Sequence, residues 1–215
     1  MHREGDDLAN GSLAATSAAF VLVVGISSMA MAQPATPAAC LVLSPRLSLN
    51  SLSTRNMVEE IRTIWTPLGV VVRAVEQAHE SCVRIIVVKA DVEARREDIA
   101  DPNALGWVPF VAGRARQLVF LSPGRARLLV DALSPGTRPE GLTDVLIAKL
   151  IGRTLAHELG HVLLNSVRHE KSGLMQGQFR AADVLRWPAS SYTLNPAERT
   201  RLFTQLSVSG RRAAQ

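Results

Sequence analysis

The chain has 215 residues, 47% hydrophobic and 20% charged, a balance that supports a globular core and excludes a disordered polymer. Its net charge of +5 is carried mostly by arginine, since Lys89, Lys149 and Lys171 are the only lysines, and the arginines are dispersed along the sequence. With aromatics at 4% and no basic stripe, a nucleic-acid surface is not expected.

Residues 1–32 hold an apolar run, AAFVLVVGI, followed by Ala30-Met31-Ala32 before Gln33-Pro34. This is the pattern of a cleaved secretory signal peptide, although Arg3 is outnumbered by Glu4, Asp6 and Asp7. Its apolar core is short for a membrane span, so none is expected once the leader is removed; an uncleaved anchor is the alternative. Loss of one arginine and three acids would bring the chain from +5 to +7. A secreted or periplasmic location follows, with residues 33–215 as a single domain. Cys40 and Cys82, an even count in an exported chain, predict one disulfide. Closing that loop contributes about 4 kcal/mol on the chain-entropy account. Two rivals are a lipid-modified Cys40, for which Pro37-Ala38-Ala39 lacks an aliphatic lipobox residue, and a Cys40 thiolate that occupies a metal.

In the mature region, residues 41–43 form a short apolar run suited to a strand. Thr54 is a candidate N-cap for a helix through Met57, Ile61 and Ile64, stopped by Pro67-Leu68-Gly69. The β-branched runs 70–72 and 83–88 read as strands of a covered sheet, completing a β-α-β pattern. Residues 91–103 are a charged surface excursion. Strand character returns over 107–111 and 117–121, which could pair across 112–116, with Pro109 restricting the first to an edge. Ser122-Pro123 starts a helix over 125–133, and Ser134-Pro135-Gly136 ends it. Over 140–164, Leu142, Val145, Leu146, Leu150, Ile151, Leu155 and Val162 follow helical spacing, with a break possible near Gly141. Asn165 suits a left-handed cap, while Gly152 and Gly160 imply close packing. A last helix spans 196–206 with Asn195 as N-cap.

The long helix carries His157-Glu158-Leu159-Gly160-His161, followed by His169 and Gly173-Leu174-Met175. Histidines at i and i+4 project from one helical face and can share one ion. Glu158 sits beside that pair, where it can act as general base. Bound zinc lowers the pKa of a coordinated water toward about 7 and polarises a carbonyl. His169 ranks first as third ligand, ahead of Glu170, Asp183 and Glu198.

These residues resemble the zincin metallopeptidases, and among them the metzincins, whose pattern is H-E-x-x-H-x-x-G-x-x-H with a methionine-containing turn. The match covers residues 156–175. It implies an α+β fold, a mixed twisted sheet packed on a long active-site helix with a C-terminal helical part. It also implies one zinc ion on His157, His161 and His169, Glu158 as catalytic base, and Met175 in the Met-turn beneath the site. The family glycine would fall at Leu164 and its third histidine at Val167; this chain supplies Asn165 and His169, a turn two residues longer. The resemblance further implies a peptide or protein substrate added as a strand to a sheet edge, for which 107–111 is the candidate. The expected activity is an exported zinc endopeptidase. A silent zinc-binding secreted protein and a hydrolase of non-peptide amides are the alternatives. His79 reads as a surface residue. Trp65, Trp107 and Trp187 read as packing residues, the last two able to border a cleft. Tyr192 reads as partly buried, with help to an oxyanion as its other role.

Overall fold

Residues 38–43 are small or aliphatic without a charge, and in the computed structural model they form an interior strand of a sheet. The structure describes residues 37–77, 82–90, 103–133, 136 and 139–212, all within one compact unit, Ala35–Gln215. The leader, His79 and the excursion before Asn103 lie outside the described residues.

Strand β1 (Ala38–Leu43) leads through helix α1 (Ser51–Trp65) to β2 (Val71–Val75) and then to β3 (Val83–Lys89). Short strands β4 (Gly106–Trp107), β5 (Phe110–Val111) and β6 (Arg114–Ala115) precede β7 (Leu118–Leu121). Helices α2 (Pro123–Leu133), α3 (Glu140–Leu164), α4 (Ala181–Arg186) and α5 (Pro196–Arg212) follow. The sheet order is β2-β1-β3-β7-β4. The first four strands run parallel and β4 pairs antiparallel with β7, Gly106 opposite Leu121 and Trp107 opposite Phe120. The architecture is therefore mixed α/β, a five-stranded mixed sheet with several helices.

Alternation along the strands sorts the sheet's two faces. Ala39, Leu41, Ile85, Val87, Val119 and Leu121 join one core with Met57, Ile61, Ile151 and Leu155 of α1 and α3. Val88 and Phe120, on the other face, form a small second cluster against Trp107, whose ring stacks on Phe120 at 5.0 Å.

Several sequence expectations shift. The cap of α1 is Asn50, whose Oδ1 accepts from Ser53 N at 2.7 Å, not Thr54, which lies inside the helix. Asn is the stronger cap and starts the helix at Ser51. The stretch 107–111 is not one strand pairing with 117–121: β4 stops at Trp107, and Phe110–Val111 folds into its own hairpin with Arg114–Ala115. Pro109, with no N–H to donate, falls between the two. Helix α3 runs unbroken through Gly141, although Leu142 and Val145 are exposed at its open end. Helix α4 carries too short an apolar pattern to be read from sequence.

Helix α3 spans roughly 37 Å at 1.5 Å per residue and is pinned by α1. Trp65 Nε1 donates to Ala156 O at 3.1 Å. A Cβ on Gly152 would come within 2.9 Å of Met57 O, so that glycine is required by the helix–helix approach. Cys40 and Cys82 form the expected disulfide, linking β1 to the start of β3 across 42 residues. Among the described residues no helix is long and apolar enough to cross a membrane. Replacing both cysteines by alanine is expected to lower unfolding stability by about 4 kcal/mol, read by urea denaturation; a loss under 1 kcal/mol would contradict that role.

Candidate metal centre

The C-terminal turns of α3 place His157 and His161 side by side, their rings 4.8 Å apart. Asn165 then takes φ 46° and ψ 55°, a left-handed cap that Asn tolerates better than most residues. The reversed chain brings His169 back to the helix. Its Nε2 lies 3.1 Å from His161 Nε2, which is also 3.1 Å from His157 Nε2. Suitable ligand atoms of the three residues lie within 4.8 Å of one another, and this is the only such group among the described residues.

The backbone sets the imidazole tautomers. His157 Nδ1 lies 2.7 Å from Leu174 O, and His161 Nδ1 lies 2.6 Å from Ser166 O. A carbonyl only accepts, so each Nδ1 carries the proton and each Nε2 presents a lone pair. Lone pairs converging at 3.1 Å repel unless a cation lies among them. A tetrahedral zinc with Zn–N near 2.0–2.1 Å would space its ligands at about 3.3 Å. The donor set therefore fits a metal ion.

Burial pushes His157 down to about 3, helped by the neighbouring His161 charge and opposed by its bond to Leu174 O. His161 is lowered by the same desolvation. Both stay neutral, as a ligand must be. Glu158 is 6% exposed, lies on the cavity wall beside His157 and His169, and makes no hydrogen bond among the described residues. Burial raises its carboxyl from 4.5 to about 8.

Gly173, Leu174 and Met175 pack against the end of α3. Gly173 has φ 84°, and a Cβ there would meet Thr193 O at 2.5 Å, so the turn requires glycine. Met175 is 1% exposed and its Sδ presses against the position a Gly160 side chain would take. Glu170 N donates to Met175 O at 2.7 Å, closing the loop that carries His169. The rival ligands go elsewhere. Glu170 is exposed, Asp183 lines the cavity outside the histidine group, and Glu198 caps α5 reciprocally with Asn195. Tyr192 is 3% exposed and donates to Val184 O at 3.3 Å, so it is buried more deeply than expected and its hydroxyl is engaged away from the histidines. Trp65 is fully buried, and Trp187 packs beside Tyr192 at 6.4 Å.

A cavity of about 750 Å³ opens from His157, Glu158 and His169. Gly106 of the edge strand lines it, packed on Thr154 of α3. Sequence reasoning passed over Arg153, a buried cation in the same wall. The signal was available, because Arg153 stands one helical turn before His157 in the row Lys149-Arg153-His157-His161. No family model matches the sequence and no curated protein matches it.

Asn165 also accepts from Ala115 N at 2.9 Å, tying the β5–β6 hairpin to the helix end. Asn165→Gly keeps the left-handed backbone and loses that bond, whereas Asn165→Ala loses both. Alanine is expected to lower stability by about 1–2 kcal/mol and glycine by less, with zinc affinity falling in the same order by titration calorimetry. Equal losses would deny the backbone its part. Glu158 gives a pH signature in metal-free protein. Its folded pKa lies above 4.5, so the native state holds the extra proton and stability falls as pH rises from 4.5 to about 8. The melting temperature of Glu158→Gln, relative to wild type, should therefore climb across that window; a pH-independent difference refutes it.

Proposed function

We propose that the protein is an exported zinc-dependent endopeptidase. The observation that carries this reading is Glu158, a buried carboxyl without an internal partner, facing the same cavity as two of the three converging histidines. His157, His161 and His169 would hold zinc, with Met175 beneath them. Zinc bound there supplies a Lewis acid for a carbonyl and makes water a stronger acid. Glu158 accepts the proton of the attacking water and returns it to the departing amine. A carboxyl kept buried without an internal hydrogen bond is costly, which favours a hydrolase over a silent zinc binder. The short antiparallel edge β4, with Gly106 on the cavity wall, favours an extended peptide over other amides, because an open edge can pair with a substrate backbone. The disulfide and the signal-like leader support an exported setting.

Glu158→Gln should retain one equivalent of zinc and lose at least about 100-fold in peptide cleavage, as expected for removal of a general base. His161→Ala should lose the zinc itself. Elemental analysis with a chelator-sensitive peptide-library assay reads both, and cleavage by Glu158→Gln at the wild-type rate would sink the mechanism.

A further inference from the structure

The cavity does not end at the histidines. It continues along α3 to Arg153 and Leu150, with Leu129, Phe179 and Val184 supplying apolar wall. Arg153 precedes His157 by four residues, about 6 Å along the helix axis. That is near the reach of a long side chain held beside a reacting backbone carbonyl.

Arg153 is 3% exposed, yet its guanidinium is only partly satisfied. Nε donates to Glu60 Oε1 at 2.5 Å. Nη1 donates to Val184 O, to Trp187 O at 2.6 Å and toward Tyr192 Oη at 3.5 Å. Nη2 makes no hydrogen bond among the described residues, and it is not one of the sealed, unpartnered polar atoms. Since Arg153 borders the cavity, Nη2 is the donor left for a ligand there. The ring of Tyr192, which also lines the cavity, lies 5.0 Å from the guanidinium carbon and packs against this group.

Charge favours an anion at that place. Behind the wall, Arg153 and Lys149 face the single carboxylate of Glu60, and the Lys149 ammonium, donating to Leu185 O at 2.9 Å, is lowered first by burial and then by Arg153. On the wall itself Arg180 and Asp183 offset one another, and Glu158 lies five residues further along α3 beside the histidines, so Arg153 is the cation at this end of the cavity.

We infer that Arg153 is a specificity-determining residue, selecting substrates that carry a carboxylate side chain, glutamate by length, in the residue bound beside the scissile bond. This inference rests on the peptidase reading for the word substrate, while the pocket's preference for an acidic peptide does not require turnover.

The test uses matched peptides differing only in Glu, Gln, Leu or Lys at one position. Cleavage is measured with zinc-loaded wild-type protein, and binding by calorimetry with zinc-loaded Glu158→Gln. Glu should exceed Gln by about tenfold in both, the effect of one charge-assisted hydrogen bond. Arg153→Gln, checked for folding by circular dichroism, should erase the preference. Should that variant not fold, Glu60→Gln serves: it keeps an acceptor for Nε, removes the neutralising charge, and should widen the Glu-to-Gln ratio about threefold or more. Cleavage without acidic preference, or a ratio unchanged in Glu60→Gln, overturns the role of Arg153 and leaves the peptidase reading intact. Acidic-peptide binding without cleavage of any peptide supports the pocket and removes the peptidase.

Discussion

The site depends on two backbone carbonyls. Leu174 O and Ser166 O each take the Nδ1 proton of one helix histidine, and this turns both Nε2 lone pairs toward one point. Without those bonds, neutral imidazoles would exchange tautomers and rotate. With them, the helix presents ligands whose protonation is decided before any ion arrives. Both carbonyls belong to the loop that also delivers His169, so a stretch of ten residues after the helix supplies a ligand and orients the other two.

That loop is in turn fixed from below. Helix α3 can lie close to it because Gly160 leaves room for Met175, and it can lie close to α1 because Gly152 accepts the Met57 carbonyl. Two glycines inside a helix cost roughly 1 kcal/mol each in propensity, and tertiary packing here recovers that cost. The same burial raises Glu158 and lowers His157. Packing density and the acid–base properties of the site thus have one origin, the enclosure of the last turns of α3.

Much of this was legible from residue types. The β-α-β start, the extent of α3, the left-handed Asn165 and Asn195 as an N-cap each follow a local rule, the Cys40–Cys82 bond follows from an even cysteine count, and the structure has each of them. The pieces that escaped are those decided over distance. Whether 107–111 forms one strand or two depends on where β7 ends its pairing. The identity of the α1 cap depended on a competition between Asn50 and Thr54 that propensity alone settles only weakly. Leu142 and Val145 belong to the helical pattern but are exposed, because the first turns of α3 are covered only on the face of Thr143. Arg153 stood in plain sight in one helical row with Lys149 and His157, but its partners come from residue 60 and from 184–192, which no local pattern connects.

The spacing of eight residues between His161 and His169 looked like the weakest feature of the sequence pattern, and it has a direct physical account. Asn165 reverses the chain with its own N–H bonded to His161 O and Val162 O, and Ser166 N returns to His161 O as well. These bonds use the carbonyls that the helix end leaves unsatisfied, so the reversal is complete by Ser166. Two residues, Val167 and Arg168, then remain before His169, enough to cross back to the Nε2 of His161. The closing contact of Glu170 N with Met175 O holds that return from the other side. A longer turn is tolerated because loop closure costs little per added residue, while the fixed points at Asn165 and Met175 keep the imidazole in place.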